Sequence, residues 1–414
     1  MNSRRYFLKC AALVGGAAVS EPLESLWRSA NAEGRRETDG YGPLVGARDE
    51  TTGLHLLDLP EGFRYLSYGW TGDRMTDGRR TPGAHDGMAA FASANGLVAL
   101  IRNHELGPGR AFQPDLAYDA NAGGGTTTLR FDPTAGRFID ARGSLAGTIR
   151  NCAGGPTPWG SWLTCEETTI GTVDDPLVTR DHGYIFEVPV DGLPSRLPLV
   201  AMGRFVHEAV AVDPDSGVVY ETEDRSRSGL YRFTPAERGR LAAGGRLEML
   251  AVAGRPKFDT RTDQRAGTTY PIRWVDIPEP NKVHAEAGQR DAAGVFTQGL
   301  DRGGAIFARL EGAWYAGGRV FVTATNGGNA QVGQVWELDI REQQLRLVFE
   351  SPGRSVLHMP DNLVVSPRGG LVLCEDSSAN PCVHGLTRDG RIVLFARNAC
   401  VLKGERNGVS GDFR

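Results

Sequence analysis

Carboxylate, asparagine and cysteine side chains bracket five short segments of this chain, and residues of these types, brought together, capture metal ions. Asn151 and Cys152 are answered by Cys165, Glu166 and Glu167; Glu208 by Glu223 and Asp224; Glu311 by Asn326; Asp361 by Glu375 and Asp376. Those four return after 14 or 15 positions, and a looser fifth runs from Asp86 to Asn103, His104 and Glu105. A single acidic pair after a strand is ordinarily a solvated turn. Five brought to one place would instead raise one another's pKa and repel, a repulsion that bound cations relieve. Carboxylates alone select hard ions such as Ca²⁺, and a thiolate such as Cys165 beside Glu166 and Glu167 turns one position toward a transition metal.

Each bracketed segment reads as an apolar run, a turn and a second apolar run. In EAVAVDPDSGVVYETED, residues 208–224, AVAV and VVYET have strand composition and DPDSG turn chemistry. An antiparallel hairpin returns to the end it left, so its two polar ends share one side of the structure. The segment starts 86, 151, 208, 311 and 361 predict an all-β, six-bladed β-propeller whose inner hairpins open on one channel mouth. Residues 253–292 are polar and turn-rich and read as a long insertion carrying one short strand near TTYPIRWVDI. With 55 Gly, 23 Pro and 40% hydrophobic residues among 414, the chain suits a turn-rich β domain spanning 33–414. A formal net charge of −4, with no basic cluster, argues against a nucleic-acid partner.

Residues 1–32 read as a twin-arginine signal peptide: Ser3-Arg4-Arg5-Tyr6-Phe7-Leu8-Lys9, then CAALVGGAAVS, then Ala30-Asn31-Ala32. This predicts a periplasmic or secreted protein that meets the twin-arginine export machinery and has no stable membrane insertion. Cys152, Cys165, Cys374, Cys382 and Cys400 follow the signal, an odd number that leaves a thiol unpaired; Cys374 is either core or paired with Cys382.

The words PEGFRY, PGAHDGMAAF, RNHELGPG, NCAGGPTPWGSWLTCEET, GRFVHEAVAVDP, YETEDR, RLEGAWY and PDNLVVSPRGGLVLCED, in this order, resemble the PhoX family of twin-arginine-exported, calcium-dependent alkaline phosphatases, in its shorter branch. The resemblance implies a monomeric propeller with Ca²⁺ and Fe³⁺ at the channel mouth, hydrolysing phosphate monoesters. It implies metal positions at Cys165, Glu166, Glu208, Glu223, Asp361 and Glu375, together with Glu105, Glu167, Asp224 and Glu311. His207 is a candidate proton donor to the leaving alkoxide, and Arg225, like Arg150, a candidate phosphate clamp. The family places a glycine after the last CED where Ser377 stands here, and continues with a further hairpin beyond Arg414, so the last blade is expected to be incomplete. Two other readings fit the same fold: a calcium-dependent propeller lactonase or esterase, and a non-catalytic, calcium-stabilised binding propeller.

Overall fold

The computed structural model describes residues 41–283, 294–367, 369–378, 380–387, 389–406 and 409–413; the twin-arginine signal lies outside them. The chain is a β-propeller. Blade 1 is the antiparallel sheet β3 (His85–Ala92), β4 (Val98–His104), β5 (Gly124–Asp132) and β6 (Arg137–Thr148). Blade 2 has three strands, β7 (Asn151–Pro156), β8 (Ser161–Glu166) and β9 (Ile185–Pro189). Blade 3 runs through β10 (His207–Val212), β11 (Val219–Glu223), β12 (Leu230–Pro235) and β13 (Gly245–Val252). Blade 4 comprises β15 (Leu310–Ala316), β16 (Arg319–Ala324), β17 (Gln334–Asp339) and β18 (Gln344–Glu350). In blade 5, β19 (Pro360–Val365), β20 (Leu371–Glu375), β21 (Cys382–Leu386) and β22 (Ile392–Asn398) are extended outward by the N-terminal strands β2 (His55–Pro60) and β1 (Leu44–Arg48). A hairpin of β23 (Leu402–Arg406) and β24 (Val409–Phe413) comes next, as a separate two-stranded sheet.

The innermost strands stand side by side, β3 against β7, β7 against β10, β10 against β15 and β15 against β19. So close an approach needs small residues. A Cβ on Gly87 would lie 2.7 Å from the Ala153 Cα, and one on Gly312 2.7 Å from the Asn362 Cα. Apolar layers fill the wedges between blades: Ile101, Trp162 and Phe186 between blades 1 and 2; Leu163, Val210 and Tyr231 between 2 and 3; Tyr220, Leu310 and Trp336 between 3 and 4.

The insertion departs from expectation in one respect. Its strand, β14 (Thr269–Asp276), is a full outer strand pairing with both β13 and β18, so it joins blades 3 and 4 along their outer edges. A helix, α1 (Gly294–Asp301), follows, burying Val295 and Phe296 against the blade 3 core. The five described cysteines are free thiols. Cys374 and Cys382 do not pair because Cys374 is in register with Val383, which puts the two side chains on opposite faces of the sheet.

Candidate metal centre

A β-bulge recurs at the same point of every inner strand, between His85 and Met88, Asn151 and Gly154, His207 and Val210, Leu310 and Ala313, and Pro360 and Leu363. Each bulge re-aims one side chain. The residues so placed are Asp86, Cys152, Glu208, Glu311 and Asp361. The returning strands repeat a second device: the amides of Glu105, Glu167, Asp224, Thr325 and Asp376 donate to the carbonyls of Ala84, Arg150, Val206, Arg309 and Met359. Four of those acceptors, Ala84, Arg150, Arg309 and Met359, hold left-handed φ values of 42–55°, backbone strain concentrated around the mouth.

The two devices bring the mouth together. Ligand atoms of Asp86, Glu105 and Cys152 lie within 4.8 Å of one another, as do those of Cys152, Glu167 and Glu208, and those of Glu208, Glu311 and Asp361. The three trios share Cys152 and Glu208, so they form one continuous cluster across five blades. Two guanidinium groups stand at its edge. Arg150 bridges Glu105 and Glu167, and Arg309 grips both oxygens of Asp224 at 2.7 and 2.9 Å while reaching Glu311 at 2.9 Å.

Two cations do not balance this much acid. Both Glu208 oxygens are buried without a hydrogen-bond partner. Burial, then the neighbouring carboxylates, pushes Asp86 up to about 8 and Glu311 up to about 10. Glu208 is raised strongly for the same reasons, and Asp361 rises to about 6. Glu167 reaches about 7, burial and Asp224 outweighing the Arg150 guanidinium. The Cys152 thiol is raised by burial and by Glu208 and Asp86. Cations would reverse each of these shifts. The donor set fits them: mostly carboxylate oxygens for hard ions, and one thiol among the cluster residues for a softer one.

The expected residues divide. Glu105, Glu167, Glu208, Asp224, Glu311 and Asp361 are at the mouth. Glu166, Glu223 and Glu375 lie one residue earlier on the returning strands, so strand alternation turns them into the wall. Glu166 accepts from the amides of Ile149, Gly183 and Tyr184 and from His182 at 2.6 Å. Glu223 accepts from the Tyr231 hydroxyl and the Gly229 amide. Glu375 accepts from the amides of His358 and Cys382 and meets His384 at 3.1 Å. Its trio with Cys382 and His384 is therefore satisfied from within.

Cys165 is also corrected: fully buried in the apolar layer between blades 2 and 3, it lies outside the mouth, and the thiol there is Cys152. His207 is sealed in the same wall. Its ring stacks on Phe205 at 3.6 Å, its Nε2 donates to the Gly203 carbonyl, and burial lowers its pKa to about 3, so it is neutral and remote from the mouth. The Arg225 main chain is a staple between blades, its carbonyl accepting from the Arg309 amide. Asp86, Cys152 and Asp376 were not among the expected ligands. The signal for the first two was available: each occupies the hairpin-start position that Glu208, Glu311 and Asp361 fill elsewhere.

The family model described as "Alkaline phosphatase PhoX" matches residues 39–144 and 139–413. No curated protein sequence matches the chain. Among solved structures, a gluconolactonase from Xanthomonas campestris is similar at 12% identity over 86% of this chain and 88% of its own, with a TM-score of 0.42. A luciferin-regenerating enzyme is similar at 8% identity over 75% of each chain, with a TM-score of 0.37.

Proposed function

This chain belongs to the PhoX alkaline phosphatase family, and from that premise we propose that it hydrolyses phosphate monoesters at the mouth cluster, outside the cytoplasm, as a monomer. The observation that carries the reading is Glu208, whose two buried oxygens have no partner at the point where two trios of candidate ligands meet. A pocket of carboxylates repels a phosphate dianion unless bound cations invert its potential.

Asp86, Glu105, Glu167, Glu208, Glu311 and Asp361 would hold Ca²⁺, and Cys152 marks the position suited to Fe³⁺. When bound, such ions supply the positive charge that neutralises phosphoryl oxygens and activates water for in-line attack. The chain supplies the rest. Inter-blade hydrogen bonds fix the geometry: Asn103 Nδ2 donates to the Cys152 and Ala153 carbonyls, and Thr222 Oγ1 to the Glu311 carbonyl at 2.6 Å. Arg150 and Arg309, each planar and aimed across the mouth, can turn from carboxylate to phosphoryl oxygen. The free thiols and the twin-arginine sequence support export of an already folded protein.

The test is turnover of an aryl phosphate by metal-loaded protein, with calcium or with a chelator. We expect calcium-dependent hydrolysis that the chelator abolishes and Glu311→Gln lowers at least about a hundredfold. A fully loaded protein, shown by metal analysis to hold its ions, that leaves the ester intact would overturn the reading.

A further inference from the structure

A cavity of about 350 Å³ is lined by Ser226, Asp259, Arg261, Thr262, Asn326 and Gln331, several of them close in the chain to mouth residues. Its place follows from the chain. Ser226 is two residues beyond Asp224, Asn326 is one beyond Thr325, and the lining residue Ala308 precedes Arg309, which grips Asp224 and Glu311. The space therefore opens off the blade 3 and blade 4 side of the cluster, the side toward which the other half of a molecule bound there by its phosphate can extend.

The outer wall is the insertion, and it is fixed rather than slack. The Gly328 amide donates to the Arg261 carbonyl at 2.8 Å, and the Asp263 amide to Asn329 Oδ1 at 2.9 Å. Arg261 also donates to the Ser226 carbonyl at 3.2 Å, and Thr260 to the Ile306 carbonyl at 2.8 Å. Gln331, on the opposite wall, is held at a left-handed φ of 54°, the kind of strain that clusters at ligand-binding positions.

The chemistry of the lining selects a ligand class. Arg261 is tied to Asp259 through two bonds of 2.9 and 2.8 Å, so the lining carries one cation matched by one anion and no net charge. Asn326 Oδ1 is buried without a hydrogen-bond partner, and the exposed side chains of Ser226 and Gln331 add a hydroxyl and an amide to the same lining for a ligand. Among the described residues, no aromatic ring lines the space. Its volume falls in the range of about 300–1,000 Å³ typical of small-molecule sites.

We propose that this cavity is the subsite for the alcohol half of the ester and favours polyhydroxylated alcohols, such as glycerol or sugar phosphates, over aromatic ones. The inference rests on the phosphatase reading. Its test compares kcat/KM for glycerol phosphate and a hexose phosphate with that for p-nitrophenyl phosphate, in the metal-loaded full chain and in Ser226→Ala/Gln331→Gly. Glycine suits the left-handed position, and the melting temperature reports folding. The native chain should prefer the polyol esters, and the variant's ratio of polyol to aryl kcat/KM should fall about tenfold, the effect of losing two hydrogen bonds. Aryl turnover without a polyol preference, or parallel changes for both esters in the variant, would overturn the subsite and leave the phosphatase reading standing. No turnover of any ester would overturn both.

Discussion

Glu166 and Glu167 are neighbours in sequence and opposites in environment. Glu166 lies in the wall, where three amides and His182 point at its carboxylate. Glu167 lies at the mouth, where one guanidinium, Arg150, faces it while Asp224 and burial raise its pKa to about 7. The contrast is weaker one blade on: Glu223 is bonded to Tyr231 and Gly229 through one oxygen and keeps the other, Oε1, buried without a partner, while Asp224 is held by Arg309. In the wall, Glu166 and Glu375 receive donors on both oxygens, whereas Glu221, deeper between the blades, receives none. At the mouth the protein supplies too few, and the deficit is what makes that region the candidate cation site.

The largest expected effect tests that division directly. In metal-free protein, Glu166→Gln removes an acceptor from four donors and should lower unfolding stability by about 3–5 kcal/mol. Glu208→Gln should leave metal-free stability within about 1 kcal/mol, because burial and the neighbouring acids already favour the neutral form of that carboxyl, while preventing calcium from raising the stability. Urea unfolding of both variants, with and without calcium, reads the difference. A metal-free Glu208→Gln protein as damaged as Glu166→Gln would show that Glu208 is a structural brace.

Cysteine separates the regions by a smaller margin. Cys152→Ser should cost about 10–100-fold in activity and abolish any thiolate-to-metal absorption band. Cys165→Ser buries a hydroxyl in an apolar layer and should cost about 1–3 kcal/mol in stability with activity retained. Activity lost on Cys165→Ser, with the melting transition intact, would contradict its placement.

The difference between these two cysteines also shows where sequence reading reached its limit. Acid and thiol at the ends of inner hairpins were legible from spacing, and so were the propeller and the polar insertion. What spacing could not resolve was a shift of one residue. In CEE, TED and CED only the last residue faces the mouth, since Glu166, Glu223 and Glu375 pair with the inner strand and turn into the wall. At the hairpin starts a bulge aims Cys152 and Asp86 at the mouth, and only their equivalence to Glu208, Glu311 and Asp361 along the repeat marks them in the sequence. The pairing of β14 with two blades was equally hidden, because TYPIRWVD has strand composition whichever partner it meets.

The smallest expected effect belongs to the wall alone. Burial by itself would lower the pKa of His182, but Glu166 at 2.6 Å and Asp119 at 3.6 Å outweigh it and the pKa is raised. A histidine raised in the folded state contributes stability that is complete below its unfolded pKa of about 6.5 and is lost as pH rises through the folded value. The mouth carboxylates are also raised, so in metal-free protein they add a loss of the same sign and obscure the histidine. Saturating calcium holds the mouth ionised and leaves the wall as the part that titrates. Under that condition the gap in melting temperature between the native chain and His182→Gln should be widest near pH 6 and narrow at alkaline pH. A gap that widens with pH would mean that His182 sits between its two acids as a neutral ring, and that hydrogen bonding without charge holds this wall together.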